Sequence, residues 1–492
     1  MQRRPKADPK LIWTSGELII ENSCGTIERD LSFEEKSIVE VPGRGNKVRR
    51  VQRPLFRVIQ EQPRTVVTFQ GFLERVKQVC TSEGIPFTVE DKREPFPGPK
   101  LRLTKGFRYS QYGFLATGLL QNKSGLFKAP TRWGKTIEII NTIRAFPGIK
   151  TVVAMPGVDL MGQQVDAIQK QLPEREVKGL YSGCSNRTQS DDVTVVSFDS
   201  MDKVDYDSTR LVLIDEPHAA VSPERLVSMS KFKHARIYGF GATLEGRFDG
   251  RDDIIVGLIG PVLVERTFRE AVAEKAICPI VVYVVKVKFR AFKPYNRLGA
   301  YRHLLLKNND VARMAAFVCN EVIPPDWQTL LFISEAKQAD MVAKYVQNSE
   351  IAIAGRMKKS VRDATFDRMV SGDLKRCLAT NIYGQGVTFP DLRCMVNLAA
   401  GGGSITGVQK PGRLAQIRPG KKAGYVIEFV FECIRDKSAG GVWDENGDPT
   451  EEETPWGYWR LVEEDGRKRL KVYEDLGYEI KYVNSLDEIK LE

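Results

Sequence analysis

Apolar positions in the first hundred residues change period along the chain. The runs GELIIEN and TVVTF have the short β-branched look of strands, whereas in FQGFLERVKQVCTSEG Phe69, Phe72, Leu73, Val76 and Val79 recur at helical spacing. Gly84 can stop that helix. Three prolines in EPFPGPK (Glu94–Lys100) then interrupt regular structure and predict a linker. After it, GLFKAP, TVVAMP, VTVVSF, RLVLID and ARIYGFG form one series of strand candidates separated by helical stretches. TLLFIS, IAIAG, KRCLAT, CMVNLA and GYVIEF form a second. Such alternation predicts parallel sheets covered by helices on both faces. Two blocks of similar size suggest a repeated architecture, although no repeat is visible in the residues themselves. The acidic, turn-rich WDENGDPTEEETPWG (Trp443–Gly457) predicts an exposed loop, followed by a short helix in DGRKRLKVYEDLGY.

Length and composition narrow the class. At 492 residues, 42% apolar and 28% charged, the chain has the size of roughly three domains and the profile of a globular protein with a core. Its longest apolar run, ICPIVVYVV (Ile277–Val285), falls well short of the ~18 residues a membrane span requires and predicts a buried strand. No apolar stretch follows the basic start MQRRPKADPK, so no signal peptide is expected. Eight scattered cysteines without a C-x-x-C pair, and three histidines, argue against zinc and for reduced thiols in a cytoplasmic setting. A net charge of +11 favours a polyanionic partner, nucleic acid or an anionic membrane surface. RGNKVRRVQR (Arg44–Arg53) holds five basic residues in ten, with Gly and Asn placed as in a basic hairpin loop. Lys47, Arg49 and Arg50 are its candidate phosphate contacts, a solvated face being the alternative.

The chemistry sits in KAPTRWGKTIEI, Lys128–Ile139. It is close to the phosphate-binding pattern G-x-x-x-x-G-K-[ST], with Ala129 at the first glycine and Trp133 before the second. Gly134, Lys135 and Thr136 supply the close backbone approach, the cation for the β/γ oxygens and the Mg²⁺-ligating hydroxyl. Ala129 adds only a methyl group, and Trp133 is compatible if its ring points away from the phosphates. Pro130, Thr131 and Arg132 complete the loop; Arg132 can add charge near the phosphates or be solvated. A second site is RLVLIDEPHAA, where a strand ends in Asp215 and Glu216. At a strand's carboxyl end, Asp215 suits the Mg²⁺ role and Glu216 the base that orients the attacking water.

With His218 this string reads D-E-P-H, and the chain resembles the DEAD/DEAH-box-like motors of helicase superfamily 2. Further motifs follow in the family's order. FRYSQY is similar to the adenine-reading element, which implies nucleotide contacts from Arg108 and Gln111. AMPGVDLMGQQ resembles the strand-end motif on the nucleic-acid backbone, implicating Pro156 and Gln163. YGFGATLEGRFDG resembles the S-A-T coupling motif through Gly241, Ala242 and Thr243. ATNIYGQGVTFPD is like motif V (Thr380 on nucleic acid, Gly384 and Gly386 on nucleotide), and QKPGRLAQIRPGKK like motif VI. The resemblance spans about Leu101 to Phe431. Two departures stand out. Thr388 replaces the motif V aspartate, and motif VI has Arg413 followed by Gln416 and Arg418 rather than two arginines three apart. Arg413 is the implied arginine finger, Arg418 its substitute, and Gln409 with His218 joins the implied coupling set.

What the resemblance implies is two tandem RecA-like α/β domains preceded by a small α/β domain. The expected boundaries are 1–98 for an accessory nucleic-acid-binding domain, 99–283 and 284–434 for the motor blocks, and 435–492 for a tail. ATP and Mg²⁺ are the implied cofactors. The motifs and the string G-x-G-A-T-L-x-x-R-x-D-G look most like XPB-like helicases and phage helicases of the UvsW type. An ATP-dependent DNA helicase or translocase acting on forks and junctions is therefore expected, in replication, recombination or repair, in the host cytoplasm if phage-encoded. Other replication or recombination proteins are possible partners, and a membrane is not. A duplex translocase or restriction-type motor subunit without strand separation, and an ATP-switched nucleic-acid clamp, are the alternatives, with RNA open as a substrate.

Overall fold

The computed structural model describes residues 7–41, 45–104, 107–108, 110–157, 161–185, 188–244, 249–290, 292, 294, 296–353, 357–380, 389, 391–401, 411–434 and 457–492; for 38–41, 45–47, 359 and 457 only the backbone is described. The chain divides into two compact units, Met1–Arg266 and Thr267–Glu492.

The first unit carries a seven-stranded sheet in the order Val177–Leu180, Val193–Ser197, Thr151–Met155, Leu211–Asp215, Arg236–Gly241, Gly125–Lys128, Val262–Glu265. Every pairing in it is parallel. The strand candidates of the first series all occur here. TVVAM and VTVVS are buried at every residue, as strands covered on both faces must be. Phe127 stacks on Phe240 across adjacent strands, with ring centroids 4.8 Å apart.

Ahead of it lies a mixed five-stranded sheet, Phe56–Glu61, Arg64–Phe69, Glu17–Glu21, Lys10–Trp13 and Thr88–Asp91, together with a separate antiparallel ribbon, Ser32–Val41 with Gly45–Pro54. The amphipathic segment forms the helix Leu73–Ser82, burying Leu73 and Val76, and Gly84 ends it at φ +63°. Leu18, Val66 and Phe72 of this region share one hydrophobic core with Phe232, Ile254 and Leu258 of the larger sheet's layers. Arg75 adds a polar tie, reaching Asp30 at 2.7 Å and Asp253 at 3.0 Å. The proline-rich segment is irregular, as expected, but it is no free linker. Glu94 meets Arg210 at 2.6 Å and also His234, and Phe96 packs edge-on against Phe146 at 5.1 Å.

The basic stretch also differs from expectation: it is not a hairpin loop but one of the two long strands of the ribbon. The Gly45–Asn46 pair begins the second strand, and residues 42–44 lie outside the described residues.

The second unit holds another all-parallel sheet of seven strands: Ser349–Ala352, Arg376–Ala379, Gln328–Phe332, Leu392–Asn397, Gly424–Ile434, Ile280–Arg290, Glu479–Val483. ICPIVVYVV supplies the penultimate strand, buried from Ile280 to Val285. The C-terminal helix runs Gly457–Leu476, longer than the sequence pattern suggests, and the strand after it closes the sheet's edge. A buried charge network fastens that helix. Arg469 meets Glu428 at 2.8 Å, while Tyr473 (3.1 Å) and Asn397 (2.8 Å) donate to the same carboxylate. Asp465 accepts from Arg297 and Tyr301.

Candidate nucleotide site

Three neighbouring strands of the first sheet, Leu211–Asp215, Arg236–Gly241 and Gly125–Lys128, end side by side at their carboxyl ends. There the backbone knits their outgoing segments together. Ala129 N donates to Gly241 O at 3.0 Å, and Glu216 N donates to Phe240 O at 3.0 Å. The phosphate loop, the acidic pair and the Gly241–Ala242–Thr243 string are thus held by the central strand of the three. This is where an open α/β sheet binds ligands.

Gly134 has φ +108°, left-handed backbone that a β-carbon would strain, and it precedes the helix Lys135–Ala145. That helix aims its first N–H groups and positive dipole end at the loop, an arrangement suited to phosphate. Arg132 also lies at positive φ, +72°, and burial lowers its guanidinium's proton affinity. The Trp133 ring is packed among other side chains. It is buried, edge-on to Phe114 at 6.1 Å, with Arg266 5.6 Å from its ring centre. Gln111, also buried, donates from Nε2 to Trp133 O at 2.6 Å and accepts from Arg108 N at 2.7 Å. It therefore braces the loop's backbone; Arg108 itself is exposed.

Lys135 Nζ lies 3.8 Å from Glu216 Oε1, spanning loop and acidic pair, and His218 Nδ1 lies 3.5 Å from Glu216 Oε2. Glu216 adopts left-handed backbone, φ +54°, which turns its carboxylate back toward the loop. Burial pushes the Asp215 carboxyl up to about 7; the neighbouring Glu216 adds to this and Lys135 opposes it. Two adjacent carboxylates against one lysine leave an excess of negative charge that a divalent cation would neutralise, so the residues present fit Mg²⁺. Thr136 is exposed at the loop's mouth, and Thr243 is buried with Oγ1 making no hydrogen bond among the described residues.

The remaining positions are distributed elsewhere. Pro156 sits half-buried at the end of Thr151–Met155, and Gln163 is exposed on the helix Met161–Gln171. In the second unit Thr380 is half-buried just past Arg376–Ala379, and Arg413 is 5% exposed in a single helical turn. Arg418 is more open and lies 3.8 Å from Asp391. Gly384, Gly386, Gln409 and the variant Thr388 lie outside the described residues, as does the Lys47 side chain; Arg49 and Arg50 are exposed on the ribbon.

Sequence reasoning overlooked Glu138, one turn beyond Lys135. It is completely buried, neither oxygen is hydrogen-bonded among the described residues, and burial holds its carboxyl far above the usual range. A lone acid among Ile137, Ile139 and Ile140 was the available signal.

Two family models match the chain: "Type III restriction enzyme, res subunit" over residues 100–246 and "Helicase conserved C-terminal domain" over 314–418. The chain belongs to helicase superfamily 2. Members of the superfamily are ATP hydrolases, and the first match contains the whole three-strand site. Among curated relatives, the DNA 3'-5' translocase XPB2 of Sulfurisphaera tokodaii is 22% identical over 362 residues, covering 64% of this chain and 80% of the relative. A protein of Sulfolobus islandicus filamentous virus, named as a candidate helicase, is 21% identical over 340 residues. That match covers 63% of this chain and 60% of the viral protein. The crystal structure of T4 UvsW aligns over 97% of this chain and 99% of its own at 14% identity and a TM-score of 0.39. The DNA-bound type ISP restriction-modification enzyme LlaBIII aligns over 84% of this chain and 34% of its own, at 14% identity and a TM-score of 0.52, a likeness of fold. No described helix is long and apolar enough to cross a membrane.

Proposed function

We propose that the chain is an ATP-driven motor that moves along DNA and remodels branched structures such as forks and junctions. The observation that carries the chemistry is the convergence of Lys135, Asp215 and Glu216 beyond the ends of two strands that flank Arg236–Gly241, with lysine and glutamate 3.8 Å apart. In this reading Lys135 and the loop N–H groups hold the β- and γ-phosphates. Thr136 and Asp215 would hold Mg²⁺, directly or through water, and the bound ion supplies charge neutralisation at the phosphate oxygens. Glu216 accepts a hydrogen bond from the attacking water and orients it in line with the γ-phosphate, and His218 beside it steadies the carboxylate. Gln111 keeps the loop in its binding shape. Arg413, from the second unit, is the proposed arginine finger, with Arg418 in reserve.

DNA as the track is supported by the net charge, by the names of the XPB2 and LlaBIII matches, and by the ribbon's exposed Arg49 and Arg50 outside the motor motifs. Lys47, Arg49 and Arg50 on this reading hold a second arm of the substrate by its phosphates. Pro156, Gln163 and Thr380 touch the tracked strand. Duplex translocation without strand separation is the second reading, favoured by the match to the restriction-enzyme subunit. The test compares ATP turnover on single strands, duplexes, forks and four-way junctions, in DNA and in RNA. Strand displacement and triplex displacement are scored in parallel. Greatest stimulation by forked or junction DNA, with product strands released, supports remodelling. Triplex displacement alone supports the translocase, and stimulation by RNA alone overturns the DNA reading.

A further inference from the structure

The basic ribbon consists of two ten-residue strands, about 33 Å long, and among the described residues no strand pairing joins it to the five-stranded sheet. A two-stranded ribbon is marginal by itself, so its position depends on what holds it. Its outer part, with Val48, Arg49 and Arg50, is exposed. Its base is tied at residues 34–36 to Asp249–Arg251, the segment reached six residues after Thr243. Lys36 N donates to Asp249 O at 3.2 Å. Gly250, at φ +75°, lies so close to the ribbon backbone that a β-carbon there would stand 2.4 Å from Glu34 O.

Arg251 is the hub. It donates to Glu35 of the ribbon and, at 3.3 Å, to Val221 O, three residues beyond His218. Glu35 in turn accepts from Arg53 on the opposite strand at 2.8 Å. The guanidinium of Arg251, then that of Arg53, holds the Glu35 carboxyl below the usual range. Phe33 anchors the ribbon's base in the hydrophobic core shared with Phe232 and Ile254, but the packing beside it is incomplete. A cavity of about 820 Å³ lies between Phe33 and Arg53 of the ribbon's base and Leu226, Phe232 and Ile254 of the motor. A base held at Phe33 and at the Glu35–Arg251 tie, beside open space, leaves the exposed outer part to follow the position of that base.

We propose that Glu35 and Arg251 are positioning residues that tie the ribbon to the segments following D-E-P-H and Gly-Ala-Thr, so that the ribbon's position, and its hold on DNA phosphates, follows the state of the nucleotide site. The DNA half of this rests on the function proposed above; the positional half does not.

Electron–electron distance measurement on the full chain tests it. Spin labels are placed by Val48→Cys on the ribbon and Lys170→Cys on an exposed motor helix position, with the half-buried Cys24 and Cys184 changed to Ser. The expected result is one narrow distance distribution that shifts between nucleotide-free protein and protein with ADP and aluminium fluoride. Glu35→Gln or Arg251→Met broadens it and abolishes the shift, while ATP turnover on single-stranded DNA stays near the wild-type rate and fork remodelling per ATP falls severalfold. A distribution that stays narrow and nucleotide-responsive in both variants overturns the proposal, as does an unresponsive wild type. If the distances behave as expected and the wild type acts on no fork, the DNA reading fails and the tie stands.

Discussion

The two seven-stranded sheets share one strand order. Numbered from its own first strand, each runs 3-4-2-5-6-1-7, with every pairing parallel. Their strand acids are treated in opposite ways. In the first unit Asp215 and Glu216 face a single lysine, and burial with mutual repulsion drives the Asp215 carboxyl up to about 7. In the second, Glu428 is wholly buried but satisfied by Arg469, Tyr473 and Asn397. One scaffold thus serves two purposes. The first site is left charge-unbalanced at a strand end, ready for a cation and a phosphate. The second is closed on itself and spends its charges on holding the C-terminal helix in place.

Breaking the open site should have the largest effect. Lys135→Ala is expected to abolish ATP turnover, since the main side-chain cation for the β/γ oxygens is lost; a phosphate-release assay reads it. Next comes Arg413, the proposed finger. Arg413→Ala should lower turnover on the order of a thousandfold with nucleotide affinity nearly intact, and Arg418→Ala should lower it less. The reverse ranking, in turnover and equilibrium nucleotide binding measured together, would move the finger to Arg418.

The comparison sharpens further in stability. Arg469→Met leaves Glu428 buried without its ion partner and should destabilise the second unit by about 3–5 kcal/mol. Asp215→Asn removes a carboxylate that its surroundings disfavour and should leave the thermal midpoint unchanged or raised, although turnover is lost. Calorimetry on the two variants side by side checks the contrast. The smallest expected effect lies on the ribbon. Replacing Lys47, Arg49 and Arg50 by Ala should flatten the salt dependence of fork binding by up to about three counterion units. Arg50 already lies 3.3 Å from Glu34, which reduces its share. Turnover on single strands should survive.

The central strands of both sheets and the open site were legible because their signals are local, whereas the edge strands Val177–Leu180 and Val262–Glu265 were not read. β-branched runs, a glycine beside a lysine, and two acids after an apolar strand need no knowledge of what packs against them. The closed site was not legible. Glu428 sits within a strand pattern and Arg469 within a charged helix pattern, and only the fold brings them 2.8 Å apart. The same holds for the final strand, Glu479–Val483, whose alternating charges read as a tail until its pairing with Val281–Val285 is seen. The ribbon was misjudged for a related reason. Gly45–Asn46 looks like turn chemistry, yet both residues are already paired in the ribbon, with Val41 and Glu40. The shared strand order left no trace in the residues, since topology constrains burial and length far more than identity.

The most direct test of the central claim is ATP turnover by the wild type and by Glu216→Gln, each with and without forked DNA, with fork remodelling scored in the same samples. The account predicts DNA-stimulated turnover and remodelling by the wild type. It predicts that Glu216→Gln binds nucleotide and does neither. Hydrolysis by Glu216→Gln at the wild-type rate, or a wild type indifferent to DNA, would contradict it.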